Sequence, residues 1–297
     1  MRGARLIGLL GAATVAGTMG ASASDPYSGP RVPAERLILG GVVDFSAGHR
    51  DIASTDDGTG KSWEWTAGAR LNIPIWSNIS VQLDGISDFY SGTGDSEDPK
   101  RATAAGVHIS YRVPTMGLIG VFGGYGWSPL RDGDRYEMSF YGLEGQIYRD
   151  NWTYYVQGGV GNQEKGDSGE GFNDGWFVRG VARHFFSPDS KFEAELAYAE
   201  AKPYIDGNDN GKFWSWGASF ERKLFDLHHH PVYWNVSYRG SQFDATTEDD
   251  ILTEHVFKVG LKVLFGATNL KQNDRYGATL DLPMLPVRAN GFTELID

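Results

Sequence analysis

The sequence has no cysteine, which excludes a disulfide framework but says little about compartment, because cysteine-free chains suit both the cytosol and the outer membrane. Past the N-terminus there is no apolar run approaching the roughly 20 residues that a membrane-spanning helix needs. Apolar residues recur nowhere at the 3.6 spacing of an amphipathic helix, so a helical bundle is also out. Basic residues are in the minority, with 27 Lys and Arg against 38 Asp and Glu, and the net charge of −11 argues against a nucleic-acid footprint.

What remains is a chain of 297 residues with 40 glycines and 13% aromatics, in which apolar residues alternate with polar ones. Residues 255–266, HVFKVGLKVLFG, show the pattern most cleanly. Phe257, Val259, Leu261, Val263 and Phe265 fall on one face, and Lys258, Gly260, Lys262 and Leu264 on the other. Period 2 with an apolar row opposite a basic row describes a strand with lipid or core on one side and water on the other. Two architectures suit such strands: a transmembrane barrel, in which only every second residue meets lipid, and a large soluble all-β domain.

The N-terminus bears on the compartment. Arg2 and Arg5 precede a small apolar run over 6–19, and Ala21-Ser22-Ala23 supplies a cleavage site, so residues 1–23 are expected to be a secretory signal peptide. Residues 24–35 are polar with three prolines and are expected to form a periplasmic lead-in. Strand-like segments then follow at 37–45, 63–71, 79–88, 102–112, 117–127, 136–148, 152–160, 176–186, 192–201, 212–224 and 232–241, before the one at 255–266. Short turns alternate with long, mostly acidic loops. About 12 strands joined in this way predict an all-β, transmembrane, antiparallel up-and-down β-barrel over residues 36–266, rather than the Greek keys of a sandwich.

The aromatics support a membrane setting. On the outward registers Trp63, Trp65, Trp127, Trp176, Trp214 and Trp216 fall near the loop ends of their strands, and Tyr111, Trp152, Tyr154, Trp234 and Phe265 near the turn ends. Two such belts with small and aliphatic residues between them match two membrane–water interfaces. Lys258, Gly260, Val263 and Phe265 together resemble the C-terminal insertion signal of bacterial outer-membrane barrels. With the signal peptide, the strand count, the belts and KVGLKVLF, the chain resembles a Gram-negative outer-membrane β-barrel of porin-like type. That resemblance implies residence in the outer membrane, contact with its lipid and lipopolysaccharide, and delivery by the barrel assembly machinery. One departure is the continuation past the terminal aromatic: residues 267–297 are not strand-like and are expected in the periplasm.

The motifs that point to chemistry are thin. His108-Ile109-Ser110 resembles the His-x-Ser pair of outer-membrane phospholipases, but alternation points His108 and Ser110 inward, away from lipid. Gly166-Asp167-Ser168-Gly169 resembles a serine-protease motif without a triad around it. Residues 206–211, DGNDNG, match half of a calcium loop, with Gly217 where the closing glutamate is needed. His228, His229 and His230 form a polar turn with no second cluster of ligands, so no metal site and no cofactor are expected.

The lumen is the remaining candidate. Arg70, Arg112, Arg179, Arg183, Glu193, Glu221, Lys223, Arg239, Lys258 and Lys262 are expected to line it, among other inward polar residues. Charges of both signs suit a water-filled pore or a closed, ion-paired interior. The expected function is a passive channel for small hydrophilic solutes, without catalysis. The alternatives are a closed structural or adhesive barrel acting through its loops, and a lipid-active hydrolase. Inward bases near the turn ends, with fewer acids beside them, predict a mild preference for anions.

Overall fold

The computed structural model describes residues 36–54, 58–91, 100–129, 135–163, 172–203, 210–244 and 251–284. The expected signal peptide and lead-in, the GDSG motif and most of the half calcium loop lie outside these residues. The described residues contain β1 (Gly40–Ser54), β2 (Gly58–Pro74), β3 (Ile79–Tyr90), β4 (Lys100–Val113), β5 (Gly117–Pro129), β6 (Arg135–Arg149), β7 (Trp152–Gln163), β8 (Phe172–Ser187), β9 (Ser190–Pro203), β10 (Gly211–Leu227), β11 (His230–Asp244) and β12 (Ile251–Phe265), then a short helix α1 (Leu270–Tyr276). Each strand pairs antiparallel with its sequence neighbours, and β1 pairs with β12, closing a twelve-stranded up-and-down barrel. At the seam Val43 stands opposite Val263 on one side and Ala69 on the other.

Closure removes the sheet edges that would otherwise leave backbone groups unpaired in lipid. The alternation read from sequence holds on the wall. Leu143 and Ile119 are 68% exposed and Val259 64%, an apolar exterior far larger than a soluble surface tolerates, while their neighbours Glu144, Gly120 and Lys258 are buried inside. The belts lie on the outer face: Trp176 and Trp214 pack against Tyr198 at one end, and Trp152 stacks on Tyr154 at the other. The turn before β11 has both His228 and His229 at positive φ, the backbone of a tight two-residue hairpin.

The strands overrun their sequence-read limits at the loop ends. β1 continues through residues 49–54, read above as loop, and pairs with β2 as far as Ser54 opposite Gly58. Beyond the lipid the exterior need not be apolar, so alternation fades while the hydrogen-bonded ladder goes on.

The tail departs most from expectation. Residues 267–284 do not hang in the periplasm: they enter the barrel from its turn end. Gly266, at φ +80, turns the chain inward where an added Cβ would stand 2.3 Å from the Leu39 carbonyl oxygen. Asn269 caps α1 by accepting from the Gln272 amide. Leu270, Ala267 and Ala278 then pack on Val42, Phe185, Tyr233 and Leu264 inside the mouth. The physical reason lies in the wall: Phe122, Phe140, Phe177, Phe213 and Phe243 all point inward, and a water-filled lumen would leave them wet. Leu282 and Met284 cover them, together with Ile52 and Leu252.

Candidate functional site

The lumen is layered from the turn end upward. α1 lies across the mouth, where the Lys271 amide donates to the Pro188 carbonyl and Arg275 donates to the carbonyl of Trp152 at 2.9 Å. The Arg275 guanidinium also sits 4.2 Å from the centre of the Tyr148 ring. The chain then rises into the barrel as irregular backbone, with the Thr279 amide donating to the Gly277 carbonyl at 3.0 Å. Leu280, fully buried, fills an apolar layer with Leu118, Tyr148, Tyr155 and Val181.

Wall side chains read the backbone of this rising segment residue by residue. Arg112 donates to the Gly277 carbonyl at 2.7 Å, and Arg183 to the Thr279 carbonyl at 3.0 Å. Gln82 donates to the Leu280 carbonyl at 2.7 Å and accepts from the Leu280 amide at 3.2 Å, as a paired strand would. Gln157 donates to the Asp281 carbonyl at 3.0 Å. Two tail carboxylates complete the contact. Asp274 accepts from Thr153 at 2.5 Å and lies 3.2 Å from Arg183. Asp281 meets Arg179 at 2.7 Å and Arg183 at 3.4 Å. Gly106 makes room on the wall, since a Cβ there would stand 2.5 Å from a methyl carbon of Leu282.

The residues expected to line the pore all face inward, and each is engaged. Arg70 is 3.6 Å from Asp44. Arg179 and Arg183 bridge to Glu195 at 2.5 Å and Glu193 at 2.7 Å on β9. Lys262 bonds Glu221 at 2.5 Å, and Lys191 stands between Glu193 and Glu221. Lys223 pairs with Asp226 beside the turn at 2.8 Å. Toward the loop end, Lys258 bonds Glu64 at 2.7 Å, while Arg239 and Arg50 share Glu254 at 2.8 and 2.9 Å. Asp44, Arg50, Lys191, Glu254 and the tail acids are absent from the sequence-read set. Asp44, Lys191 and Glu254 sit on inward registers that alternation could have extended to, and Arg50 sits on the stretch taken for loop.

Of the insertion-signal residues, Lys258 and Gly260 face the lumen and Val263 and Phe265 face outward. His108 is buried between Glu144 at 2.9 Å and Asp84 at 3.4 Å, under the Phe122 ring. Ser110 shares a hydrogen bond with Ser80. This His–Ser pair therefore faces the packed interior and meets no lipid.

The tail lies against the β3–β8 wall and divides the lumen. Between it and the opposite wall is a cavity of about 250 Å³. Asp44, Arg70, Glu193, Glu195, Arg239 and Lys258 line it from the barrel, and Asp281, Leu282 and Met284 from the tail. Low-dielectric walls make these charges strong local fields for anything that enters.

No protein-family model matches the sequence, and no curated protein matches it. Solved structures do. An outer membrane channel of the COG4313 group from Pseudomonas putida F1 superposes with a TM-score of 0.55 at 12% identity, over 82% of this chain and 99% of that one. The NanC porin gives 0.46 at 10% identity, over 74% and 98%. The translocator domain of the autotransporter NalP from Neisseria meningitidis gives 0.42 at 12%, over 76% and 88%. At such identities the likeness is one of fold: the closed twelve-stranded sheet with its apolar exterior has the architecture of an outer-membrane β-barrel.

Proposed function

We propose that the protein is a passive channel for small hydrophilic solutes in the outer membrane of a Gram-negative bacterium, narrowed in the state described by its own C-terminal segment. The observation that carries this reading is the divided lumen. The tail is held to one wall by side-chain contacts and apolar packing, outside the sheet, and a charge-lined cavity of about 250 Å³ remains beside it. Withdrawing the tail would break no strand pairing. In this reading the short turns face the periplasm, the long loops face outward toward lipopolysaccharide, and β12 is what the assembly machinery engages. The reading needs no cofactor and no catalysis, and His108, turned inward between Asp84 and Glu144, counts against the lipid-active alternative.

A closed structural barrel is the second reading, favoured by the phenylalanine layer over the tail. Single-channel recording in a planar bilayer separates the two. The full chain is expected to conduct weakly, and a chain ending at Gly266 severalfold more. Silence from both forms would replace the channel by the structural barrel. Equal conductance from both would remove the tail from the account.

A further inference from the structure

The tail's Asp281 occupies a place that the barrel wall builds by itself. Arg179 and Arg183 stand two inward positions apart on β8, and their guanidinium groups meet the two oxygens of one carboxylate, at 2.7 Å on Oδ1 and 3.4 Å on Oδ2. Each arginine already has an acid on β9, Glu195 or Glu193, to hold it in position when the tail is elsewhere. A guanidinium carries five donors in a planar fork, so one neighbouring acid leaves donors to spare, and that fork matches a carboxylate better than a spherical anion. Gln157 adds an amide donor on the same wall, 3.0 Å from the Asp281 carbonyl and 2.9 Å from Arg179 through its own oxygen. The Asp281 side chain is 25% exposed, and it lines the 250 Å³ cavity, so this arrangement can be reached without dismantling the barrel.

We propose that Arg179, Arg183 and Gln157 form a binding site for the carboxylate of a small solute, which Asp281 fills as an internal occupant, so that carboxylate solutes compete with the tail and loosen it. The proposal deepens the channel reading by naming a solute class. It is tested by binding, which needs no conductance, so the two can fail separately.

The chain has no native cysteine, so Met284→Cys in the full-length protein gives a single reporter at a buried position of the tail. Its alkylation rate by a small maleimide is measured in detergent with succinate, with uncharged succinamide, and with sodium chloride, at equal ionic strength. Succinate is expected to speed alkylation at least about fivefold, with succinamide and chloride near the buffer rate. Asp281→Asn, which leaves the wall intact, should raise the basal rate and bind succinate severalfold more tightly than the parent by calorimetry. Arg179→Gln, where it still gives a folded barrel, should abolish the succinate effect. Equal acceleration by chloride would reduce the effect to screening, and equal acceleration by succinamide would remove the charge from it. Succinate binding to Asp281→Asn no tighter than to the parent would likewise overturn the proposal.

Discussion

Phe265 is the residue where assembly and stability can be told apart. It faces outward at the turn end of β12, 39% exposed, with its ring 4.7 Å from that of His230. An acidic residue on the lipid face costs less than Arg or Lys and least near an interface, so Phe265→Asp should cost the finished barrel only about 1 kcal/mol. If the terminal pattern of Lys258, Gly260, Val263 and Phe265 is read during insertion, the amount of barrel reaching the membrane should nevertheless fall at least about tenfold. Tyr111→Asp changes another outward aromatic at the turn end, on β4, and is the control. Membrane levels of the two variants, compared by quantitative immunoblot, decide it, and equal losses would sink the idea. At this scale alternation served the reading well: Arg112, Arg179, Arg183, Lys258 and their fellows all face inward. It stopped where the lipid stops, which is why Arg50 was taken for loop although it is buried against Glu254.

Among the elements, the twelve strands were legible because lipid demands an apolar residue at every second position. The tail was not, because its position answers to the inside of the barrel. Over 267–297 no regular period runs, and the informative triplet is only Leu280, Leu282 and Met284 at alternate positions. The matching signal lay elsewhere, in phenylalanines on the inward registers of five strands, which no open polar lumen explains. Leu280 is a fully buried tail residue with a large side chain, and truncating such a side chain leaves a cavity as well as losing transfer energy. Leu280→Ala should therefore weaken docking by about 2–5 kcal/mol, while Leu143→Ala on the lipid face should leave docking unchanged. The readout is the fraction of time a single channel spends in the larger of its conductance states. A Leu280→Ala trace indistinguishable from the parent would mean that the tail does not control the pore.

For the whole molecule, net charge is a poor guide to the lumen. The chain carries −11, yet the inner wall pairs nearly every base with an acid or a carbonyl. Anion preference was expected from Arg70, Arg112, Arg183, Lys223 and Lys262, on the basis of few acids nearby. Asp44, Asp226, Asp274 and Asp281 are close to this set and offset it. Asp274 and Asp281 are the removable acids that face the wall arginines; Lys271 and Arg275 leave with them, but from the mouth, where they bond Asn151 and the Trp152 carbonyl. Full-length channels should select weakly, whereas channels ending at Gly266 should prefer chloride, because Arg112, Arg179 and Arg183 then lose tail partners. The reversal potential under a KCl gradient measures both, and cation preference in the shortened chain would contradict this account of the wall.

The shape of the tail has a mechanical consequence. Over its described residues the turn-end portion is a helix lying across the mouth, and 277–284 above it are irregular backbone held along the wall. A helix seated at one end of a narrower segment behaves as a check valve. Force directed from the loops toward the turns lifts the helix off its seat, with Gly266 as the hinge. Force in the other direction presses it home. If the barrel conducts, it thereby acquires a direction, and flow through it would be rectified by a part that belongs to neither the sheet nor the loops.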